Sequence, residues 1–144
     1  MSLKPWLAHY EPHVGGRLDY PETVLPEILT HTAAAYGYRA AMLFKGARLS
    51  YREYNRAVNR FAAGLQKLGV EPGDRVALHL PNCPQYAIAY YAVLRIGGIV
   101  VPCNPLYQSR ELAHQLNDSG AEVLVTLSSL YPLVKGVRGQ THLR

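Results

Sequence analysis

A chain of 144 residues, 49% hydrophobic and 17% charged with no low-complexity tract, has the make-up of one folded domain and excludes a disordered or fibrous polypeptide. Its 15 Lys and Arg against 10 Asp and Glu leave a net charge of +5, which favours anionic partners weakly and says nothing about fold. The two cysteines, Cys83 and Cys103, form no CxxC pair and no Cys/His cluster, so a disulfide framework and a zinc site are both excluded and a cytoplasmic setting is expected.

The start of the chain lacks the long apolar core of a signal peptide. The longest apolar run, residues 86–101, is broken by Arg95 and by Gly97-Gly98, too short and interrupted to cross a bilayer. No transmembrane segment is expected. Residues 1–22 carry Pro5, Pro12, Gly15, Gly16 and Pro21 without periodicity and read as an extended arm, ahead of an α/β core over 23–144. Thr23 is placed to cap a helix running to about Tyr36, with Pro26 tolerated in its first turn and Gly37 ending it. Residues 40–44 and 47–49 are short strand-like runs about Lys45-Gly46, a hairpin.

The clearest local signal is Ser50-Tyr51-Arg52-Glu53, a capping box. Tyr54, Ala57, Val58, Phe61, Ala62, Leu65 and Leu68 then follow at helical spacing until Gly69. Arg52, Arg56 and Arg60 recur every four residues on that helix and read as its solvated face; a nucleic-acid surface is not expected, because neither interleaved base-stacking aromatics nor a recognisable binding module accompanies them. Beyond the turn at residues 71–74 the chain alternates. Residues 75–80 (RVALHL) form a strand suited to burial on both faces, and Asn82, with Gln85 three places on, is placed to cap a helix to about Ile96. Residues 99–101 form a second buried strand. Ser109 opens a third helix closed by Gly120, residues 122–126 form a third strand, and Ser129 is placed to cap a last helix with Leu130, Leu133 and Val134. The strand–helix alternation implies right-handed crossovers and a Rossmann-like parallel sheet with flanking helices.

Ligands of such sheets bind beyond the carboxyl ends of the strands. None of the three ends is a phosphate cradle: GxGxxG and GxxxxGK[ST] are absent, and Pro81 and Pro84 remove amides that would bind an anion. His79 stands where a catalytic base could, but without a nucleophile or a carboxylate to orient it the plainer reading is a hydrogen-bonded structural residue. Cys83 reads as an inert thiol rather than an activated one, and Tyr86, Tyr90 and Tyr91 read as core rather than as the lining of an acyl pocket. No catalytic, cofactor-binding or metal-binding residue is assigned within these 144 positions.

Taken in order, several stretches resemble the opening of the adenylate-forming superfamily, and within it the bacterial long-chain fatty-acid–CoA ligases. They are PWLAHY, YPETVLPEILTHTAAAYG, and the series LSYREYN, GDRVA, LPNCPQ, AYYAVLRIGG, VVPCNPLY, REL and QLNDSGA. Each is weak alone, but the ordered set covers nearly the whole chain. The resemblance implies a two-step reaction. A fatty carboxylate attacks the α-phosphate of Mg-ATP, giving an acyl-adenylate and pyrophosphate, and coenzyme A then displaces AMP. It also implies that the phosphate loop, the acidic residue near the metal, the ribose aspartate and the C-terminal lysine lie beyond Arg144. Ser128-Ser129 has no accompanying glycines to substitute for that loop, and the Cys103-Asn104-Pro105 loop differs from the one that approaches coenzyme A in acetyl-CoA-type relatives. ATP, Mg and coenzyme A therefore belong to the full-length enzyme, and the family usually has an apolar residue at the position of His79. The closing LYPLVKGVRGQTHLR resembles the helix before the family's next strand, so the chain is expected to be an N-terminal subdomain, inactive alone, whose partners are the remainder of the ligase and, with the oligomeric state open, a second copy. The alternatives are a self-associating interaction module that keeps only the fold and, less supported without a phosphate loop, a nucleotide-binding regulatory domain.

Overall fold

A computed structural model describes residues 4–144, so the first three residues of the expected arm lie outside the described residues. The rest of the arm is not wholly extended: Pro5–His9 forms a short 3-10 helix with Pro5 at its start, where a missing amide costs nothing.

Helix α1 (Leu25–Ala35) is followed by strands β1 (Ala40–Phe44) and β2 (Ala47–Ser50), which pair antiparallel. Both residues of their tight turn have left-handed backbone, Lys45 at φ 47 and Gly46 at φ 81, the twist that suits a two-residue hairpin. Helix α2 (Tyr51–Lys67) begins at the expected capping box. The Ser50 Oγ accepts from the Glu53 amide (3.3 Å), and the Glu53 carboxylate accepts from the Ser50 amide (2.8 Å). One later helix begins at Ser109 as expected, but three other helix starts differ from expectation. Thr23 does not cap α1; its hydroxyl donates to Glu27 (2.8 Å), whose carboxylate takes the amide of Val24, so the glutamate rather than the threonine closes the turn.

Beyond α2 come β3 (Arg75–His79), α3 (Pro84–Arg95), β4 (Ile99–Cys103), α4 (Ser109–Ser119), β5 (Val123–Thr126) and α5 (Tyr131–Val137). Asn82 is not the cap of α3. Cys83 holds that position without a side-chain bond, because Pro84 fixes the first helical residue one place later. Nor does Ser129 cap α5: residues Ser128–Leu130 wind into a 3-10 turn and the helix starts at Tyr131.

The three later strands form one parallel sheet in the order β4-β3-β5. Strand β3, at the centre, is buried from Val76 to His79 and alternates between two cores. Val76 and Leu78 meet Val58, Ala62 and Leu65 of α2 and Ala89 and Val93 of α3. Ala77 faces the opposite way, with Val101, Leu112 and Leu116 of α4, and Val134 and Val137 of α5. Helices on both faces make the sheet doubly wound, as the apolar RVALHL run implied. Gly98 permits the close return into β4, since a Cβ there would sit 2.9 Å from Val93 Cγ1 and 3.2 Å from the Val93 carbonyl.

Candidate functional site

The carboxyl ends of the three strands meet at His79, whose register partners are Cys103 on β4 and Thr126 on β5. His79 is fully buried. The Thr126 hydroxyl lies 3.1 Å from the His79 carbonyl oxygen and 3.3 Å from Nδ1. A hydroxyl has one proton, so donation to the carbonyl leaves Nδ1–H as the donor in the second contact and Nε2 as the unprotonated nitrogen. Nε2 has no hydrogen-bond partner among the described residues. Burial pushes the imidazole below its usual pKa, and the backbone of Asn104 acts the other way without completing a bond to Nε2. The ring is therefore held neutral.

Around it the groups are inert or structural. The Cys103 thiol is buried and desolvation pushes its pKa up to about 11, far from an activated nucleophile. Asn104 closes the loop after β4, its side-chain oxygen accepting from the Leu106 amide at 3.0 Å. Burial, then the neighbouring Tyr90 and Cys103, raise the Tyr86 phenol. Cys83 is half-buried and Asn82 exposed at the start of α3. Tyr86, Tyr90 and Tyr91 make a chain of ring contacts at 6.2 Å, and Tyr54 joins it edge-on to Tyr91 at 5.7 Å, with its hydroxyl donating to the Ala87 carbonyl (3.0 Å). They are packing, as the helical spacing suggested.

None of the loops after the three parallel strands contains a glycine: residues 80–83, 104–108 and 127–128 read LPNC, NPLYQ and LS. A triphosphate does not fit these ends, because the amides it needs are partly replaced by prolines and no glycine lets the backbone close around it. Among the described residues no group of three or more His, Cys, Asp or Glu side chains is placed to hold a metal ion. Two further positions do more than the sequence announced. Thr126 read only as a strand residue, since its partner lies 47 positions away on another strand. Arg95 interrupts an apolar helix, and that interruption was the signal of a buried anchor. One guanidinium nitrogen donates to Asn55 (2.8 Å) and Asn59, the other to the Pro26 carbonyl and the Thr30 hydroxyl (both 3.1 Å), tying α1, α2 and α3 together.

A family model described as AMP-binding enzyme matches residues 29–143. This chain belongs to that family. A long-chain-fatty-acid–CoA ligase of Bacillus subtilis (strain 168) is 45% identical over 131 residues, which are 91% of this chain and 23% of that protein. A solved long-chain-fatty-acid–CoA ligase from Archaeoglobus fulgidus superposes with a TM-score of 0.80 at 30% identity, covering 88% of this chain and 27% of that one. The N-terminal domain of FACL13 from Mycobacterium tuberculosis superposes at 0.75 with 27% identity, over 81% of this chain and 31% of that one. The AMP-binding family chain described here thus spans about a quarter of the length of the relatives it matches. The doubly wound parallel sheet and the resemblance read from its motifs both stand. No helix of the described residues is long and apolar enough to cross a membrane.

Proposed function

We propose that these 144 residues are the N-terminal scaffold of an ATP-dependent fatty-acid–CoA ligase, which converts a fatty acid, ATP and coenzyme A to acyl-CoA, AMP and pyrophosphate. The chain's contribution is a rigid sheet and its helices, while the groups that grip ATP, Mg and coenzyme A belong to the remaining length of the ligase. The observation that carries the proposal is the 45% identity, running through the whole core, to a protein named as such a ligase. The glycine-free strand ends support the division of labour. Activating a carboxylate demands that phosphate charge be neutralised and two reactants held in line, and His79, Cys103 and Thr126 can do neither. The scaffold is proposed to work in the cytoplasm, joined to the rest of the ligase and able to pair with a second copy of it.

The test is ATP–pyrophosphate exchange with palmitate, measured on the 144-residue chain and on a chimera joining it to the downstream portion of the Bacillus subtilis relative. The expected result is exchange by the chimera and none by the chain. Turnover by the chain alone overturns the division of labour, and an inactive but folded chimera overturns the ligase assignment.

A further inference from the structure

On the outer side of α2 two grooves run into one another. One, of about 600 Å³, is rimmed by Arg56 and Arg60 and reaches Leu49 of β2. The other, of about 360 Å³, lies between α2 and α3, where Ala57 and Phe61 face Gln85 and Ile88. Ala57 and Arg60 line both, so the trough is continuous. Its apolar residues, Leu49, Ala57, Phe61 and Ile88, are each half-buried. Ala57 keeps it open, since a longer side chain would fill the point where the two grooves meet.

The charge about the trough is one-sided. Residues 39–60 hold Arg39, Lys45, Arg48, Arg52, Arg56 and Arg60 against a single acid, Glu53, a net of +5, and the other nine basic and nine acidic residues cancel. All six cations are exposed, and none forms an ion pair among the described residues. The Glu53 carboxylate is bound to the amide and hydroxyl of Ser50 (2.8 and 2.6 Å).

An apolar trough with a basic rim fits an apolar ridge with acidic borders, and three observations narrow the occupant. Between α2 and α3 no strand edge is offered, because helical backbone bonds are internal, so recognition falls to side chains and suits a helix rather than an extended segment. The rings nearby do not suit nucleic acid. Arg52 lies over Tyr38 at 4.2 Å, Arg39 over Tyr36 at 5.2 Å and Lys45 over Phe44 at 5.6 Å, leaving poor platforms for stacked bases. A second copy presents no such ridge: its α4 carries Glu111 and Asp118 but buries Leu112, Ala113 and Leu116 in its own fold, and Glu27 of α1 is bonded to Thr23 and Val24.

We propose that the trough is a docking site for an amphipathic helix with acidic borders, carried by a separate protein. Its apolar anchors rest on Phe61 and Ile88, and its carboxylates meet Arg56 and Arg60. The docking is independent of the ligase assignment.

The probe is a fluorescein-labelled peptide of about 15 residues, long enough to form a helix, with leucines at i, i+4 and i+7 bordered by glutamates. Fluorescence anisotropy is expected to show saturable binding to the 144-residue chain that weakens as salt rises. A peptide of the same composition with its leucines dispersed around the helix, and one with lysine for every glutamate, are expected to bind about tenfold more weakly. Arg56→Gln with Arg60→Gln is expected to weaken binding about tenfold, about threefold per rim pair. Gln85→Glu, a carboxylate placed in the trough, is expected to weaken it and Gln85→Lys to strengthen it. Arg110→Gln with Arg138→Gln, an equal loss of exposed charge elsewhere, is expected to leave binding unchanged. Unaltered thermal melting of each variant keeps the comparison on folded protein. Equal binding of the dispersed peptide overturns the proposal. So does an Arg56/Arg60 pair within about twofold of the parent, a control pair that loses as much, or displacement of the peptide by a mixed-sequence single-stranded oligonucleotide at lower concentration than by unlabelled peptide. A dimer of the chain that the peptide does not dissociate puts a second copy in the trough. A folded chimera with the downstream ligase portion that no longer binds the peptide puts the rest of the ligase there. Either result overturns the assignment to a separate partner.

Discussion

Thr126 holds both ends of His79 from the neighbouring strand, its hydroxyl 3.1 Å from the carbonyl oxygen and 3.3 Å from Nδ1. The pair locks the centre of the sheet to β5 at the point where the strands end, and it leaves Nε2 buried without a partner among the described residues. Because burial lowers the folded-state pKa, the unfolded chain binds the proton more readily. Stability is then level above the unfolded value of about 6.5 and falls as pH drops below it. His79→Leu removes the orphaned nitrogen and the titration together, while Thr126 keeps its bond to the carbonyl. Urea unfolding is expected to show the variant as stable as the parent or about 1 kcal/mol more so at neutral pH, with a shallower decline towards acid. A variant that loses several kcal/mol, or keeps the parent's full acid dependence, contradicts this account.

The converse substitution separates the two contacts of the threonine. Thr126→Val preserves shape and β propensity but leaves the His79 carbonyl and Nδ1 unpaired in the interior. The expected cost is about 1–3 kcal/mol in the same measurement, larger than for His79→Leu. A neutral Thr126→Val shows that these contacts do not hold the sheet.

What could be read in advance was whatever depends on near neighbours along the chain. The Ser50–Glu53 box, the Lys45-Gly46 turn and the RVALHL strand each carry their cause within a few residues, and the structure follows them. The caps of α1, α3 and α5 went differently because the rule for polar caps competes with other local chemistry: Glu27 is the stronger acceptor beside Thr23, Pro84 fixes the helix start after Asn82, and Ser128–Leu130 tightens into a 3-10 turn. The His79–Thr126 contact and the Arg95 clasp were not legible, since their partners are brought close only by strand order and helix packing.

Arg95 presents four hydrogen bonds from a half-buried charge, and no lysine can supply them in that forked arrangement. Arg95→Ala is expected to destabilise by about 2–4 kcal/mol, by lost charge-assisted bonds and by leaving the Asn55 oxygen without its donor. Arg95→Lys is expected to recover only part of this. Hydrogen exchange gives the sharper test, because amides of α1 should lose protection more than those of β3. Equal loss across both elements contradicts a role specific to the helix layer.

Capping at Ser50 makes a separate local prediction. Ser50→Ala removes the acceptor for the Glu53 amide and one donor to the Glu53 carboxylate, at a cost of about 1 kcal/mol. The Ser50 bonds hold the Glu53 carboxyl below its usual pKa. The stability they confer is present above the unfolded carboxylate value and is lost as pH falls through the acid range. Ser50→Ala should therefore narrow its deficit against the parent as the pH is lowered, as read from paired thermal melts. A deficit that stays constant down to strongly acidic pH contradicts the coupling.

The two thiols should report on the fold by their reactivity. Cys103, the last residue of β4, is 4% exposed, and with its pKa pushed up to about 11 only on the order of 1 in 1,000 of its thiols is ionised at pH 8, before access is considered. Cys83, at the start of α3, is half-buried and lies outside that core. Treatment with a disulfide reagent at pH 8 is expected to modify one thiol per chain promptly and the second only at the rate of unfolding, with urea making the two equivalent. Cys83→Ser should abolish the fast phase and leave the slow one intact. Prompt reaction of both thiols in the native chain would mean that the face of the sheet covered by α4 and α5 opens freely, and the interior described for Cys103, and with it the neutral His79 beside it, would not hold.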